Sequence, residues 1–409
     1  MQRRGKAPTG RRPGGQPGHK KRERALVPVE RVDKFVDVRP ETCDSCDRRL
    51  TGDDPDPRRH QVIDLPPMTP IITEYREHLL RCRCGATTRA RWPEGVPRGV
   101  FGASVQSLVA LLTAKFRLSK RLVRELLTDV LGVDVALGSV SNMEANVSAA
   151  TAGIFDEAHA FVTKQPIVNA DETSWIEARM RAWLWTAVTP RVTVYQIGRS
   201  RGSDSARLLL GADFSGVLGV DRWSGYSWIP PDRRQLCWAH LIRDFQEISE
   251  RGGLDGAVGS QLLALAAELF RWWRRIDAGT LTRAAFVARV ERLESAVRQQ
   301  LELGKVVGTK ATRGTCRHIL AREAALWTFV RVEGVEPTNN AAERALRHLV
   351  LWRKTSFGTH SSAGSRFVER MMSIVTSLRC QRRNVLAFLR DAVQAWLGVG
   401  KPPSLVPNA

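Results

Sequence analysis

No stretch of this 409-residue chain approaches the roughly 18 consecutive apolar residues that a membrane-spanning helix needs. Its basic N-terminus is not followed by an apolar signal core either. Cysteine is scarce, and the seven present are an odd number, which fits free thiols in a reducing compartment better than a disulfide framework. These absences together predict a soluble, cytoplasmic protein. Acidic residues are also in deficit. Forty-two Asp and Glu face 63 Lys and Arg, leaving a net charge of +21. Such a chain is drawn to polyanions, because binding nucleic acid releases condensed counterions; a membrane surface is the rival partner. The 43% of hydrophobic residues is enough to bury a sizeable core, and the length exceeds one ordinary domain.

Composition then divides the chain. Residues 1–24 hold nine Lys and Arg against one Glu, with Gly and Pro throughout. A disordered basic arm is expected over 1–29, with Arg11, Arg12, Lys20 and Lys21 tracking phosphates or merely solubilising the protein. Residues 30–97 carry Cys43 and Cys46 in "CDSCDRRL", then Cys82 and Cys84 in "RCRCGA". A Cys-x2-Cys pair followed by a second close pair suits four thiolates around one zinc ion, although the tighter Cys-x-Cys leaves room for His60 or His78 as a substitute ligand. The alternative is four reduced cysteines in a small β-rich module.

Over 98–160, "SVQSLVALLTAKF" and "SKRLVRELLTDVLG" have helical periodicity, and "VALGSVSNMEANV" begins another helix with Ser139 or Ser141 as cap. This is either a helix-turn-helix arrangement presenting Ser139 to Asn142 to DNA or a plain helical linker. From 161 to 238 the period changes. "QPIVNAD" reads as a buried strand ending in Asp171, "RAWLWTAVT" and "RVTVYQIG" as the next two strands, and "SDSARLLLG" as a helix capped by Ser203. "SGVLGVD", ending in Asp221, and "RRQLCWAH" complete five strands. This is the element order of an RNase H-like mixed sheet, where the first and fourth strands are neighbours and two acids ending them would meet.

"PTNNAAERAL" then opens a helix within 336–396. Asn340 as N-cap with Glu343 three residues later has the form of a capping box, while Ala342, Ala345, Leu346 and Leu349 make the apolar stripe. Glu343, at the edge of that stripe, is free either to cap or to join Asp171 and Asp221 in a three-acid site. Three crowded acids repel one another unless cations neutralise them, which two magnesium or manganese ions do. Taken singly, Asp171 could instead serve a turn and Asp221 could pair with Arg222. Between the fifth strand and this helix, residues 239–335 read as a helical insertion that begins just after Cys237, in "CWAH". Two such ligands are too few for zinc, so His240 is either an active-site neighbour or ordinary packing. Residues 397–409 read as a flexible tail.

"VNADETSW", "GVDRWSGY", "QLCWAHLIRDF", "VEPTNNAAERALR" and "LWRKTSFGTHSSAGSRFVER" resemble the successive motifs of the insertion sequence 66 family of bacterial transposases. The likeness reaches the N-terminal "GRRPGGQPGHK" and the paired cysteines. It implies an acidic triad of Asp171, Asp221 and Glu343, a zinc module of Cys43, Cys46, Cys82 and Cys84, and a helical insertion. It further implies hydrolysis at element ends and strand transfer into target DNA, by an oligomer on paired ends with possible accessory proteins and nucleoid association. Arg344, Arg347, Arg353 and Lys354 are then candidate phosphate contacts. Trp175 and Trp223, each close behind an acid, are candidates for base stacking or for the core.

Overall fold

The computed structural model describes residues 24–407; Arg11, Arg12, Lys20 and Lys21 lie outside them. Contacts divide the chain into two units, Met1–Thr69 and Pro70–Ala409. In the first, residues 41–50 form a tight reversal. The Leu50 N–H donates to the Glu41 carbonyl, and the N–H groups of Cys46 and Asp47 both donate to that of Cys43. Cys43 and Cys46 sit in this turn.

The second unit begins with a hairpin, β1 (Leu79–Arg81) and β2 (Thr87–Arg89), whose turn carries Cys82 and Cys84. Four helices follow: α1 (Ala103–Ala114), α2 (Lys120–Leu131), α3 (Leu137–Ala150) and α4 (Ala152–Thr163). Ser119 caps α2 by accepting from the Leu122 N–H, and Gly132 ends it in a left-handed conformation. The expected caps of α3 are corrected: Ala136 is its N-cap, and Ser139 and Ser141 lie inside the helix. Val109 and Leu112 of α1 pack with Val123 and Leu127 of α2 and with Val140 and Met143 of α3.

The sheet comprises β3 (Ile167–Glu177), β4 (Met180–Val188), β5 (Thr193–Gly198), β6 (Val217–Val220) and β7 (Arg234–Leu236). Helix α5 (Ser203–Leu210) joins β5 to β6; its N-cap is Gly202 and not Ser203. The strand order is β5-β4-β3-β6-β7, with the first three antiparallel and the last two joined in parallel. β3 does not end at Asp171 as its apolar run predicts. The hairpin with β4 carries it on to Glu177, whereas its pairing with the shorter β6 stops at Asn169.

Between β7 and the Glu343 helix come α6 (Trp238–Ser249), α7 (Gly253–Asp277), α8 (Arg283–Val307), α9 (Lys310–Leu320) and the short α10 (Thr328–Arg331). Phe286, Val290, Leu293, Val297 and Leu301 recur along α8 at helical spacing and are all buried. The chain then returns to the sheet through α11 (Asn340–Ser356), α12 (Ser362–Cys380) and α13 (Val385–Trp396).

α11 buries the predicted stripe of Ala342, Ala345, Leu346 and Leu349 against Trp175 of β3, Leu184 of β4, and Tyr195 and Ile197 of β5. After α11, Gly358 (φ +94°) passes so close to β3 that a Cβ there would stand 2.1 Å from the Ile176 carbonyl oxygen. No larger residue fits that crossing. α12 closes the outer edge of β5. Glu369, Ser373 and Ser377, one helical turn apart, accept from the backbone N–H groups of Ile197, Tyr195 and Thr193 in turn. A four-residue helical step rises about 6 Å and a two-residue strand step about 6.6 Å, so the two rows stay in register.

Candidate active site

The β3–β6 register pairs Ile167 with Val217 and Asn169 with Gly219. Carried on by two residues, it sets Asp171 beside Asp221, the first residue after β6. Side chains alternate along a strand, so Asp171 shares its face of β3 with Thr173 and Trp175, the face that α11 covers. Glu343 stands in the first turn of α11. The Asp171 carboxyl is pushed up to about 8, chiefly by burial and next by neighbouring Glu172, with the carboxylates of Asp221 and Glu343 adding to the repulsion. Asp221 and Glu343 therefore both lie within electrostatic reach of Asp171.

The expected capping box is absent. Asn339, not Asn340, is the N-cap of α11, which leaves Glu343 one residue too far along for the reciprocal bond. The Asn339 side-chain amide donates instead to the Ala170 carbonyl at 2.8 Å. Glu343 is turned toward α6, with its Oε1 3.6 Å from His240 Nδ1 and its Oε2 3.6 Å from Arg243. Neither His240 Nδ1 nor Glu343 Oε1 has a hydrogen-bond partner, although both atoms are buried. Asp221 accepts from the Trp223 N–H at 2.8 Å. Its neighbour Arg222 pairs with Asp244, so the simple Asp221–Arg222 pair does not form.

Beneath the acids, on the opposite face of β3, Glu172 is almost wholly enclosed. It accepts from the Tyr226 hydroxyl at 2.7 Å and from Arg201 at 3.0 Å. Burial raises its carboxyl, and these two bonds oppose the rise. Arg201 lies over the rings of Trp183 and Trp223, 4.7 and 3.8 Å from their centres. Trp223 is thus held by a cation, and Trp175 is a core residue whose indole N–H donates to Thr359. Sequence reasoning missed Glu172, Arg201, Arg243 and Asn339. Glu172 follows Asp171 directly, but only the fold supplies its partners.

A cleft of about 740 Å³ opens beside Asp221, lined also by Trp223, His240, Arg243, Thr315 and His318 among others. It runs between the end of β6 and helices α6 and α9. Arg344, Arg347 and Lys354 are exposed on α11. Arg353 is turned inward, donating to the Thr173 and Ser174 side chains and to the Ser174 carbonyl of β3, so its guanidinium is engaged within the fold.

The pattern of the Transposase IS66 family matches residues 98–366. The chain belongs to that family. The match takes in β3 to β7, the inserted helices, all of α11 and the start of α12. Curated relatives come from Sinorhizobium fredii (strain NBRC 101917 / NGR234). The uncharacterized protein y4qI is 27% identical over 83% of this chain and 67% of its own length. The uncharacterized protein y4hP is 24% identical over 89% of this chain and 72% of its own. Among the described residues, no helix of this IS66-family protein is long and apolar enough to cross a membrane.

Proposed function

We propose that this IS66-family chain is a DNA transposase that uses Asp171, Asp221 and Glu343 to cut and join phosphodiesters. One observation carries the reading: the β3–β6 register points Asp221 toward Asp171, the Asp171 carboxyl feels the charges of both Asp221 and Glu343, and Asp221 lines an open cleft. The strand order supports an RNase H-like core, in which a first and a fourth strand lie side by side. Half-buried carboxylates whose charges repel at Asp171, one of them with an oxygen lacking any partner, fit two hard divalent cations such as magnesium or manganese. When bound, such a pair lowers the pKa of the attacking water or hydroxyl and neutralises charge on the leaving oxygen.

The protein's own residues set the stage for this chemistry. The Asn339 bond to Ala170 holds the start of α11 on β3. The Trp223 N–H orients Asp221, and the Glu172–Arg201–Tyr226 group stiffens the strand that carries Asp171. Arg243 contributes positive charge at the cleft, and Arg344, Arg347 and Lys354 offer contacts to phosphates. In the first step, water hydrolyses the phosphodiester at the element end and leaves a 3′-hydroxyl and a 5′-phosphate; in the second, that hydroxyl attacks a target phosphodiester, whose own 3′-oxygen leaves as the new strand joint forms. The family resemblance adds assembly on paired ends.

The N-terminal segments support DNA recognition. None of residues 24–100 is buried, so apolar packing does not hold them. Each cysteine pair sits in a tight turn where neighbouring backbone groups favour the thiolate, lowering the Cys43 and Cys82 thiols. We read each cysteine pair as thiolate ligands for zinc, and α2 and α3, joined through Gly132, as a DNA-reading pair.

The test is a duplex carrying the element's own ends, with target DNA and magnesium. Glu343→Gln is expected to abolish nicking while DNA binding persists; unchanged nicking overturns the triad. Strand joining in the same assay separates a transposase from a nuclease built on the same site.

A further inference from the structure

We propose that Cys237, His240 and Glu343 form a site for a soft divalent cation of the zinc class, and that its occupation withdraws Glu343 from the acidic triad. A thiol, an imidazole and a carboxylate are the donor set of zinc sites, whereas magnesium takes oxygen alone. One donor atom from each of the three residues lies within 4.8 Å of the other two.

The site is built by two helix starts. Cys237 is the N-cap of α6 and His240 its third residue, on one side of the first turn; Glu343 comes from the first turn of α11. Two bonds fasten these turns together. The Trp238 N–H donates to the Pro337 carbonyl at 2.9 Å, and the Asn339 N–H donates to the Cys237 sulfur at 3.2 Å. The second bond aims the sulfur and opposes the rise that burial imposes on its thiol, as supporting donors do around metal ligands.

His240 Nδ1 and Glu343 Oε1 provide the independent sign. Both are buried without a hydrogen-bond partner, yet they face each other at 3.6 Å. That is long for a hydrogen bond. With bonds of about 2.0–2.3 Å to a tetrahedral zinc, ligand atoms stand roughly 3.3–3.7 Å apart, so the spacing suits two ligands of one ion. His240 also lines the cleft, through which an ion and a water as fourth ligand can enter. Binding replaces the Cys237 thiol proton, which leaves to solvent.

Metal uptake stands on this geometry alone, while its effect on cleavage rests on the proposed triad. Full-length protein, Cys237→Ser and His240→Ala are dialysed against zinc, and bound metal is counted; cobalt then reports thiolate ligation by its sulfur-to-metal charge-transfer absorption. The wild type is expected to bind one more equivalent than either variant and to lose part of its cobalt–thiolate absorption in Cys237→Ser. Equal stoichiometry in all three proteins overturns the site, and the paired variants guard against misfolding of one. In the magnesium-dependent nicking assay, zinc is expected to inhibit the wild type, with Cys237→Ser needing about 10-fold more or higher. Equal sensitivity overturns the regulatory role. If no protein nicks DNA, the triad reading fails while the binding comparison still decides the site.

Discussion

Asn339, the last residue before α11, donates its side-chain amide to the carbonyl of Ala170, the residue immediately before Asp171. One buried bond thus fixes the distance between the strand that carries the first acid and the helix that carries the last. Replacing Asn339 with Ala is expected to cost about 1–3 kcal/mol of stability, because the bond cannot be remade with water in that enclosed place. Nicking should fall by more than the lost stability explains; loss of activity in proportion to unfolding alone would argue against a positioning role. Urea unfolding and single-turnover nicking on the same preparation separate the two.

The Asp171 carboxyl, pushed up to about 8 by burial and by neighbouring acids, makes stability depend on pH. In the unfolded chain this group ionises near pH 4. Between that value and about 8, the folded state holds a proton that the unfolded state has released, so stability falls as pH rises. The slope contributed by this group is about 1.4 kcal/mol per pH unit in that window. Asp171→Asn is therefore expected to raise the melting temperature at pH 7.5 in chelator and to change it little at pH 4. Manganese should stabilise the wild type more at pH 8 than at pH 5.5, because protons compete for the same oxygens. A pH-independent manganese effect counts against cation binding at Asp171.

Removing Arg201 leaves Glu172 enclosed with only the Tyr226 hydroxyl as partner. Arg201→Met is expected to destabilise by about 3–5 kcal/mol, the usual cost of stranding one member of a buried ion pair. The double variant Glu172→Gln with Arg201→Met should recover a good part of that loss. Equal destabilisation of the single and double variants would show that the stacking of Arg201 on Trp183 and Trp223 matters more than its charge.

Ser373 and Ser377 of α12 satisfy the backbone N–H groups of Tyr195 and Thr193 on the edge strand β5. Each Ser→Ala change leaves one buried donor without its acceptor, an expected loss of about 1–3 kcal/mol. Hydrogen exchange at the Tyr195 amide should quicken in Ser373→Ala and that at Thr193 much less. Uniform quickening along β5 would mean that the helix holds the strand by apolar packing instead.

Local pattern was enough to locate much of this protein. The alternation in "RAWLWTAVT" and the stripe from Ala342 to Leu349 place β4 and α11, because a half-buried strand or helix must show its period in the sequence. The order of the acidic motifs nominated Asp171, Asp221 and Glu343. Tertiary structure decided how these residues are used. Glu343 does not cap its helix, because Asn339 is drawn to β3 and shifts the helix start by one residue. β3 runs past Asp171, because β4 keeps pairing with it after β6 has ended. Arg353 turns inward to the polar atoms of β3, and Cys237 and His240 acquire a third polar neighbour from a helix about a hundred residues further along the chain. A sequence displays the periods that burial imposes on a single element, whereas the partner of a buried polar group depends on which distant segment is packed against it.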